Sequence, residues 1–347
     1  MRLSLALILF CLISVQLCHA QSTSKIAFGS CSHQDKPLDI LANIAAEKPQ
    51  AMLWLGDNIY GDTDDLEVLQ SKYNKLGNNE NFKALRANTP FYAIWDDHDF
   101  GKNDAGKEFD FKFQSAKAFL DFWQVPETDT RRKQKDGIYH SVFIDGPKGR
   151  TIQIIFPDLR FNRDPITSVD TQTYTTDRQA KKMGPYSPDE TAELSMLGAG
   201  QWEWFEKELK KPADVKIIAS SLQVLAEHTG WEAWKNYPYD TNRLFSLVSE
   251  LELNNLVLVS GDTHWAEISK QMIGDIQLID ATSSGLSEKW KDVSPNQYRV
   301  SQSYYQNNYG MIEITWHDSL AEIRIGFKNK DGDYVAYEQT TIKLDEK

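Results

Sequence analysis

Short apolar runs that end abruptly in polar residues recur along this chain. Residues 25–30 (KIAFGS), 51–55 (AMLWL), 91–95 (FYAIW), 215–219 (VKIIA) and 256–260 (LVLVS) are too short for helices and apolar enough to be buried strands. Residues 139–144 alternate like a half-exposed strand, and 151–156 follow at hairpin spacing across Gly146, Pro147 and Gly149. Residues 276–281 read as a further strand, as do three segments near the C-terminus: MIEITW, AEIRIGF and YEQTTIKL. Helical spacing predicts helices over 39–46, 66–75, 82–87, 111–123, 201–211 and 241–250. Between residues 162 and 200 the chain is polar and punctuated, a loop long enough to be functional or mobile. Strands alternating with helices, followed by a strand-rich tail, predict a sheet-cored α/β protein with an antiparallel portion. Sites in such folds lie just beyond the carboxyl ends of central strands, so a functional motif should follow an apolar strand directly.

The first twenty residues stand outside that pattern. MRLSLALILFCLISVQLCHA has one early cation, Arg2, an apolar run too short to span a bilayer comfortably, and small Ala20 before Gln21. It reads as a secretory signal cleaved after Ala20, which predicts a secreted or periplasmic protein with no integral membrane segment. No linker, charge block or repeat divides residues 21–347, so one domain is expected. Loss of Arg2 takes the formal charge from −12 to −13. An acidic surface of that kind repels nucleic acid at long range, but bound cations can invert the field locally and admit an anionic substrate. Cys11 and Cys18 leave with the signal, so Cys31 is the one remaining thiol and has no internal disulfide partner. Burial as a small apolar side chain and metal ligation both account for it.

Four polar clusters follow apolar strands directly. FGSC carries Cys31; GDNIY carries Asp57, Asn58 and Tyr60; DDHD carries Asp96, Asp97, His98 and Asp99; GDTH carries Asp262 and His264. Each alone has an ordinary explanation: a Gly-Asp pair caps or turns the chain, an acidic run solvates, and a lone histidine packs. Carboxylates converging at one sheet edge would repel by several kcal/mol unless cations lay among them. Thiolate, phenolate, carboxylate and imidazole together suit a strongly Lewis-acidic ferric ion better than zinc, which rarely takes tyrosine. A neighbouring position lined by carboxylates and carbonyls suits calcium, magnesium or manganese. Ions bridged by Asp57, roughly 3.5–4 Å apart in such sites, would polarise a phosphoryl group and generate hydroxide near neutral pH.

These clusters, in this order, resemble the calcineurin-like metallophosphoesterase superfamily, and in detail its alkaline phosphatase D (PhoD-like) branch. There a cysteine replaces the first metal-binding motif, as Cys31 does in FGSC. GDNIY is similar to the branch's GDxxY, WDDHD to its WDDH(E/D) and GDTH to its GDxH. The resemblance implies a four-layer α/β/β/α sandwich of two mixed sheets over residues 21–347. It implies metal ligation by Cys31, Asp57 (bridging), Tyr60, Asp97, Asp262 and His264, with His98 as the catalytic histidine. PDLRFNRD resembles the branch's D-x-R-x-x-R segment, which would have Arg160, and with it Arg163, approach the phosphate or order the site. LGAGQWEWFEKEL and WEAWKNYPYDTNRL are also similar to segments of the branch. Fe3+ with Ca2+ is the implied metal pair, with Mg2+, Mn2+ or Zn2+ as alternatives in the second position.

Two departures stand out. Cys31 falls within a dozen residues of the expected cleavage site, leaving no room for the β-rich domain that often precedes the catalytic one. The superfamily's valine-x-x-histidine ligand has no counterpart after VKIIASSLQV, and His228 lies too far past that strand to supply it.

The expected activity is hydrolysis of small phosphate mono- or diesters, with a phospholipase D-like or nucleotide-diester-specific enzyme as the alternative. A metal-poor binding module on the same fold is the non-enzymatic alternative. Stable nucleic-acid binding is not expected, and nothing in the sequence sets an oligomeric state. Trp231, Trp234 and Tyr237 form an aromatic group that either packs in the core or walls a substrate cleft. His33 and Asp35 read as exposed loop residues near Cys31.

Overall fold

The computed structural model describes residues 22–191 and 193–345. The signal segment expected over residues 1–20 lies outside the described residues. Strands β1 (Ser22–Gly29), β2 (Ala51–Leu55) and β3 (Phe91–Ile94) run parallel in one sheet. The other sheet begins with β4 (His140–Asp145), β5 (Thr151–Phe156), β6 (Val215–Ala219) and β7 (Leu256–Ser260), and is completed by β8 (Ala266–Ile273) and β9 (Ile276–Ser283). The chain then returns to the first sheet as β10 (Asn308–Trp316), β11 (Leu320–Asn329) and β12 (Tyr334–Lys343). The two strand orders are β12-β11-β10-β1-β2-β3 and β4-β5-β6-β7-β9-β8. Both sheets are mixed: β10 pairs antiparallel with β1, each of β11 and β12 pairs antiparallel with the strand before it, and β5, β6, β7 and β9 run parallel between antiparallel β4 and β8.

Alternation along the central strands gives the layering. Ile152, Ile154 and Phe156 of β5 join the core between the sheets, whereas Ile155 turns to the other face and packs with Trp202, Phe205 and Leu209 of the helix Gly198–Leu209. Leu244, Leu247 and Val248 of the helix Pro238–Glu250 complete that outer layer. On the far side, the helices Ile40–Glu47, Leu66–Asn78, Glu80–Asn88 and Lys112–Phe122 bury Leu41, Ile44, Leu69, Leu76, Leu85 and Phe119 against the first sheet. The result is the expected α/β/β/α sandwich.

Two elements escape the apolar pattern. Strand β8 is masked by Glu267, a wholly buried carboxylate that accepts from the Trp265 indole at 2.9 Å and from Arg299 Nε at 2.6 Å. Residues Asp97–Phe100 of the DDHD run form a helical turn, held at its start by the Asp96 N–H donating to Asp99 Oδ1 at 2.7 Å.

Candidate metal centre and active site

The carboxyl ends of β1, β2 and β3 meet those of β6, β7 and β9 along one edge of the sandwich, and all four clusters emerge there. At Cys31, Asp57, Asp262 and His264 the backbone turns through left-handed φ values of 61°, 47°, 71° and 62°. Such conformations are costly for residues with a Cβ, and they aim each side chain back over the strand ends. Two glycines permit the approach. A Cβ on Gly56, whose φ is 95°, would stand 2.4 Å from Asp96 Cβ, and one on Gly261 would stand 2.6 Å from Ser30 Oγ.

Cys31 is buried, its sulfur 3.5 Å from Asp57 Oδ2 and 3.1 Å from Ser284 Oγ. Tyr60 Oη lies 2.8 Å from His264 Nε2, and the Tyr60 ring stacks on His33 with centroids 4.7 Å apart. Ligand-type atoms of Cys31, Asp57 and His264 lie within 4.8 Å of one another; so do those of Asp57, Asp97 and His98, and those of Asp96, Asp97 and Asp262. Asp57 and Asp97 are each shared between groups. The structure thus brings together Cys31, Asp57, Tyr60, Asp97, His98, Asp262 and His264.

Burial pushes the Asp57 carboxyl well above the usual carboxylate range, aided by Cys31 and the neighbouring aspartates. Asp262 is raised in the same way by burial and by Asp96 and Asp97. Burial takes the Cys31 thiol up to about 12 against opposing hydrogen bonds from Ser284 and Ser30, and brings His264 down to about 4. Burial and the nearby Cys31 and Asp57 raise Tyr60 well above its ordinary value. Asp97 goes the other way: burial opposes its ionisation, but Arg160 and His98 hold it below the usual range. Burial also opposes the charged form of His98, yet its hydrogen bond to Asp62 and the charge of Asp97 lift it to about 9. So many acidic groups cannot ionise together in a dry site unless cations compensate them. Asp96 Oδ2 and Asp97 Oδ1 are buried without any hydrogen-bond partner, so the donor set fits resident metal ions.

Of the two roles expected of Arg160, its contacts fit ordering the site rather than reaching the phosphate. Its side chain is fully buried beneath the cluster: Nε donates to Asp96 Oδ1 at 2.5 Å, and the two terminal nitrogens donate to Glu232 at 3.0 and 2.7 Å. Arg163 pairs with the same glutamate and with the Asp104 carbonyl. Neither arginine lines the open cavity above the carboxylates, whose volume is about 240 Å³. Sequence reasoning missed Glu232, Asp62 and Asp104. Asp62 holds His98 Nδ1 at 2.7 Å; its only signal is a second Gly-Asp pair shortly after the first. Asp104 fixes Asp97 by donating its N–H to Oδ2 at 2.8 Å, and its own carboxylate accepts from Tyr186. After β6, where a histidine ligand has no counterpart, Ser221 Oγ donates to Asp96 Oδ1 at 2.9 Å. The His228 side chain is 59% exposed and does not line the cavity. Asp35 is occupied by Lys75. The aromatic group divides: Trp234 and Tyr237 are core, whereas Trp231 lines the cavity.

The family model described as PhoD-like phosphatase matches residues 26–284. The chain belongs to the PhoD-like phosphatase family. It is 24% identical over 278 residues to alkaline phosphatase D of Bacillus subtilis (strain 168), an alignment covering 69% of this chain and 46% of that relative. The chain therefore spans less than half the length of that protein. A solved structure of PhoD superposes with a TM-score of 0.66 at 16% identity, covering 94% of this chain and 72% of that one. GAP50, the anchor in the inner membrane complex of Plasmodium, superposes with a TM-score of 0.56 at 13% identity, covering 94% and 90%. These likenesses establish a metallophosphoesterase-like fold for this PhoD-like chain. No helix among the described residues is long and apolar enough to cross a membrane.

Proposed function

We propose that this PhoD-like protein is an exported, metal-dependent hydrolase of small phosphate mono- or diesters, with residues 21–347 as one catalytic domain. The observation that carries the reading is the sharing of Asp57 and Asp97 among the groups Cys31–Asp57–His264, Asp57–Asp97–His98 and Asp96–Asp97–Asp262, which links the donors into one continuous site with room for adjoining cations. Cys31, Tyr60, Asp57 and His264 suit Fe3+, and Asp57, Asp97 and Asp262 suit a harder cation, Ca2+ before Mg2+, Mn2+ or Zn2+. Bound there, the ions would polarise the phosphoryl group, activate water and offset charge on the equatorial oxygens.

The chain's own groups supply the rest. Asp62 holds His98 Nδ1, leaving Nε2 on the cavity side to give a proton to the departing alkoxide. Glu232, which lines the cavity, and the buried Arg160 act as positioning residues: Arg160 anchors Asp96 and balances the charge of Asp97, 3.8 Å from its nearest terminal nitrogen. The likeness to GAP50 keeps a non-enzymatic anchor as the contrasting reading, but the intact donor set favours the esterase.

Hydrolysis of paired chromogenic mono- and diesters by purified protein tests this reading. Turnover of at least one ester, abolished by chelation and restored by added cations, is expected. Metal-loaded protein that turns over neither ester contradicts it.

A further inference from the structure

The cavity lining combines two unlike kinds of surface. Asp57, Asp97, Asp262 and the two histidines supply ligand-type groups, and Trp231, Trp290 and Tyr186 supply aromatic rings. Trp231 and Trp290 meet edge to face, with ring centroids 6.2 Å apart and an interplanar angle of 78°. Their polar handles are already engaged: the Trp231 indole N–H donates to Ser294 Oγ at 3.0 Å and that of Trp290 to the Asp292 carbonyl at 3.2 Å. What they offer a ligand is ring surface alone.

Both rings are positioned relative to the ligand cluster. The Trp290 backbone N–H donates to the His264 carbonyl at 3.0 Å, and Trp231 follows Gly230, which packs so closely on Gly184 that a Cβ on Gly184 would lie 2.2 Å from the Gly230 carbonyl oxygen. Trp290 nevertheless leaves 43% of its surface in water, unusual for so large an apolar group at a cavity mouth. Charge narrows the choice of occupant. No Lys or Arg is found among the described residues lining the cavity, and Arg160 and Arg163, which do not line it, are committed to Glu232. A second phosphate would meet carboxylates and no counter-ion, whereas a neutral flat ring would meet aromatic surface.

We propose that the Trp231–Trp290 wall selects phosphate esters whose organic group is a flat, uncharged ring, with Trp290 as the specificity-determining residue. The inference rests on the esterase reading only in placing the phosphorus over the carboxylate cluster. Contact with a preset aromatic surface should favour an aryl ligand over a methyl one by about tenfold.

Titration calorimetry of metal-loaded protein with phenylphosphonate and methylphosphonate tests it, because neither ligand is hydrolysed. Wild-type protein should bind phenylphosphonate about tenfold more tightly. Trp290→Ala should bring the two affinities together by weakening phenylphosphonate, and Trp290→Phe should restore most of the preference. Similar affinities in wild-type protein, no binding of either ligand, or a preference that survives Trp290→Ala overturns the proposal. Retained phenyl preference in a protein that hydrolyses neither phenyl phosphate nor a phenyl diester supports the wall and overturns the esterase reading instead.

Discussion

Tyr60 Oη lies 2.8 Å from His264 Nε2, although the two residues stand 204 positions apart in the chain. Tyr60 leaves the end of β2 in the first sheet and His264 the end of β7 in the second, so their contact closes the edge where the two sheets meet. Cys31 and Asp57 sit at the same closure. Both side chains carry atoms able to ligate one ion, and the same closure that supports the fold thereby assembles the candidate metal site.

The His98–Asp62 pair yields a kinetic expectation. His98→Ala should lower kcat by about 10²–10⁴-fold, the usual contribution of a positioned general acid, while bound metal stays nearly unchanged. Asp62→Asn should lower kcat less, because the imidazole keeps its place but loses the partner that orients it. Metal loss in proportion to activity in His98→Ala would instead assign the histidine a structural part.

Gly56 gives a packing test. Gly56→Ala forces a Cβ against both Asp96 Cβ and its backbone nitrogen, 2.9 Å away, in a left-handed conformation. A destabilisation of about 3 kcal/mol is expected in urea unfolding. A wild-type midpoint would show that the two loops can separate.

Arg160 separates a positioning role from direct phosphate contact. Arg160→Lys loses the fork that serves Asp96 and Glu232, and Glu232→Gln leaves two buried guanidinium groups short of a carboxylate. Each should destabilise the fold by about 3 kcal/mol. A raised KM with an unchanged unfolding midpoint in Arg160→Lys would assign the arginine to the phosphate after all.

His140, remote from the metal cluster, sets a pH dependence of stability. It is buried, stacks on Phe156 with centroids 4.5 Å apart, and burial holds its pKa well below the ordinary histidine value. The folded state therefore binds fewer protons than the unfolded chain in mild acid. The contribution is intact above the unfolded pKa of about 6.5 and declines as pH falls below it, by up to about 1.4 kcal/mol per pH unit. Relative to His140→Phe, wild-type protein should lose stability between pH 7 and pH 5, by at most about 2 kcal/mol. Parallel stability curves for the two proteins would contradict this.

Much of the fold was legible because its central strands are buried on both faces and read as continuous apolar runs. Strand β8 was not, because the partners that make buried Glu267 tolerable lie in distant segments: Gln223 before it and Asn296 and Arg299 after it. The ligand types were legible because each follows a strand end. Which of its two expected parts Arg160 plays was hidden, since its carboxylate partner Glu232 lies 72 positions away in a segment that reads as aromatic. Trp231 and Trp234 look equivalent in sequence, yet the fold puts Trp231 at the cavity and buries Trp234 in the core. Trp290 carried no signal at all, standing in a polar loop after β9.

The central claim is that cations sit among Cys31, Asp57, Tyr60, Asp97, Asp262 and His264. Elemental analysis of purified wild-type protein beside Cys31→Ser tests it most directly. At least two metal equivalents per wild-type chain, one of them iron, with iron depleted in Cys31→Ser, is the predicted result. Less than one equivalent of all metals in wild-type protein that still hydrolyses phosphate esters, or full iron occupancy in Cys31→Ser, would contradict it.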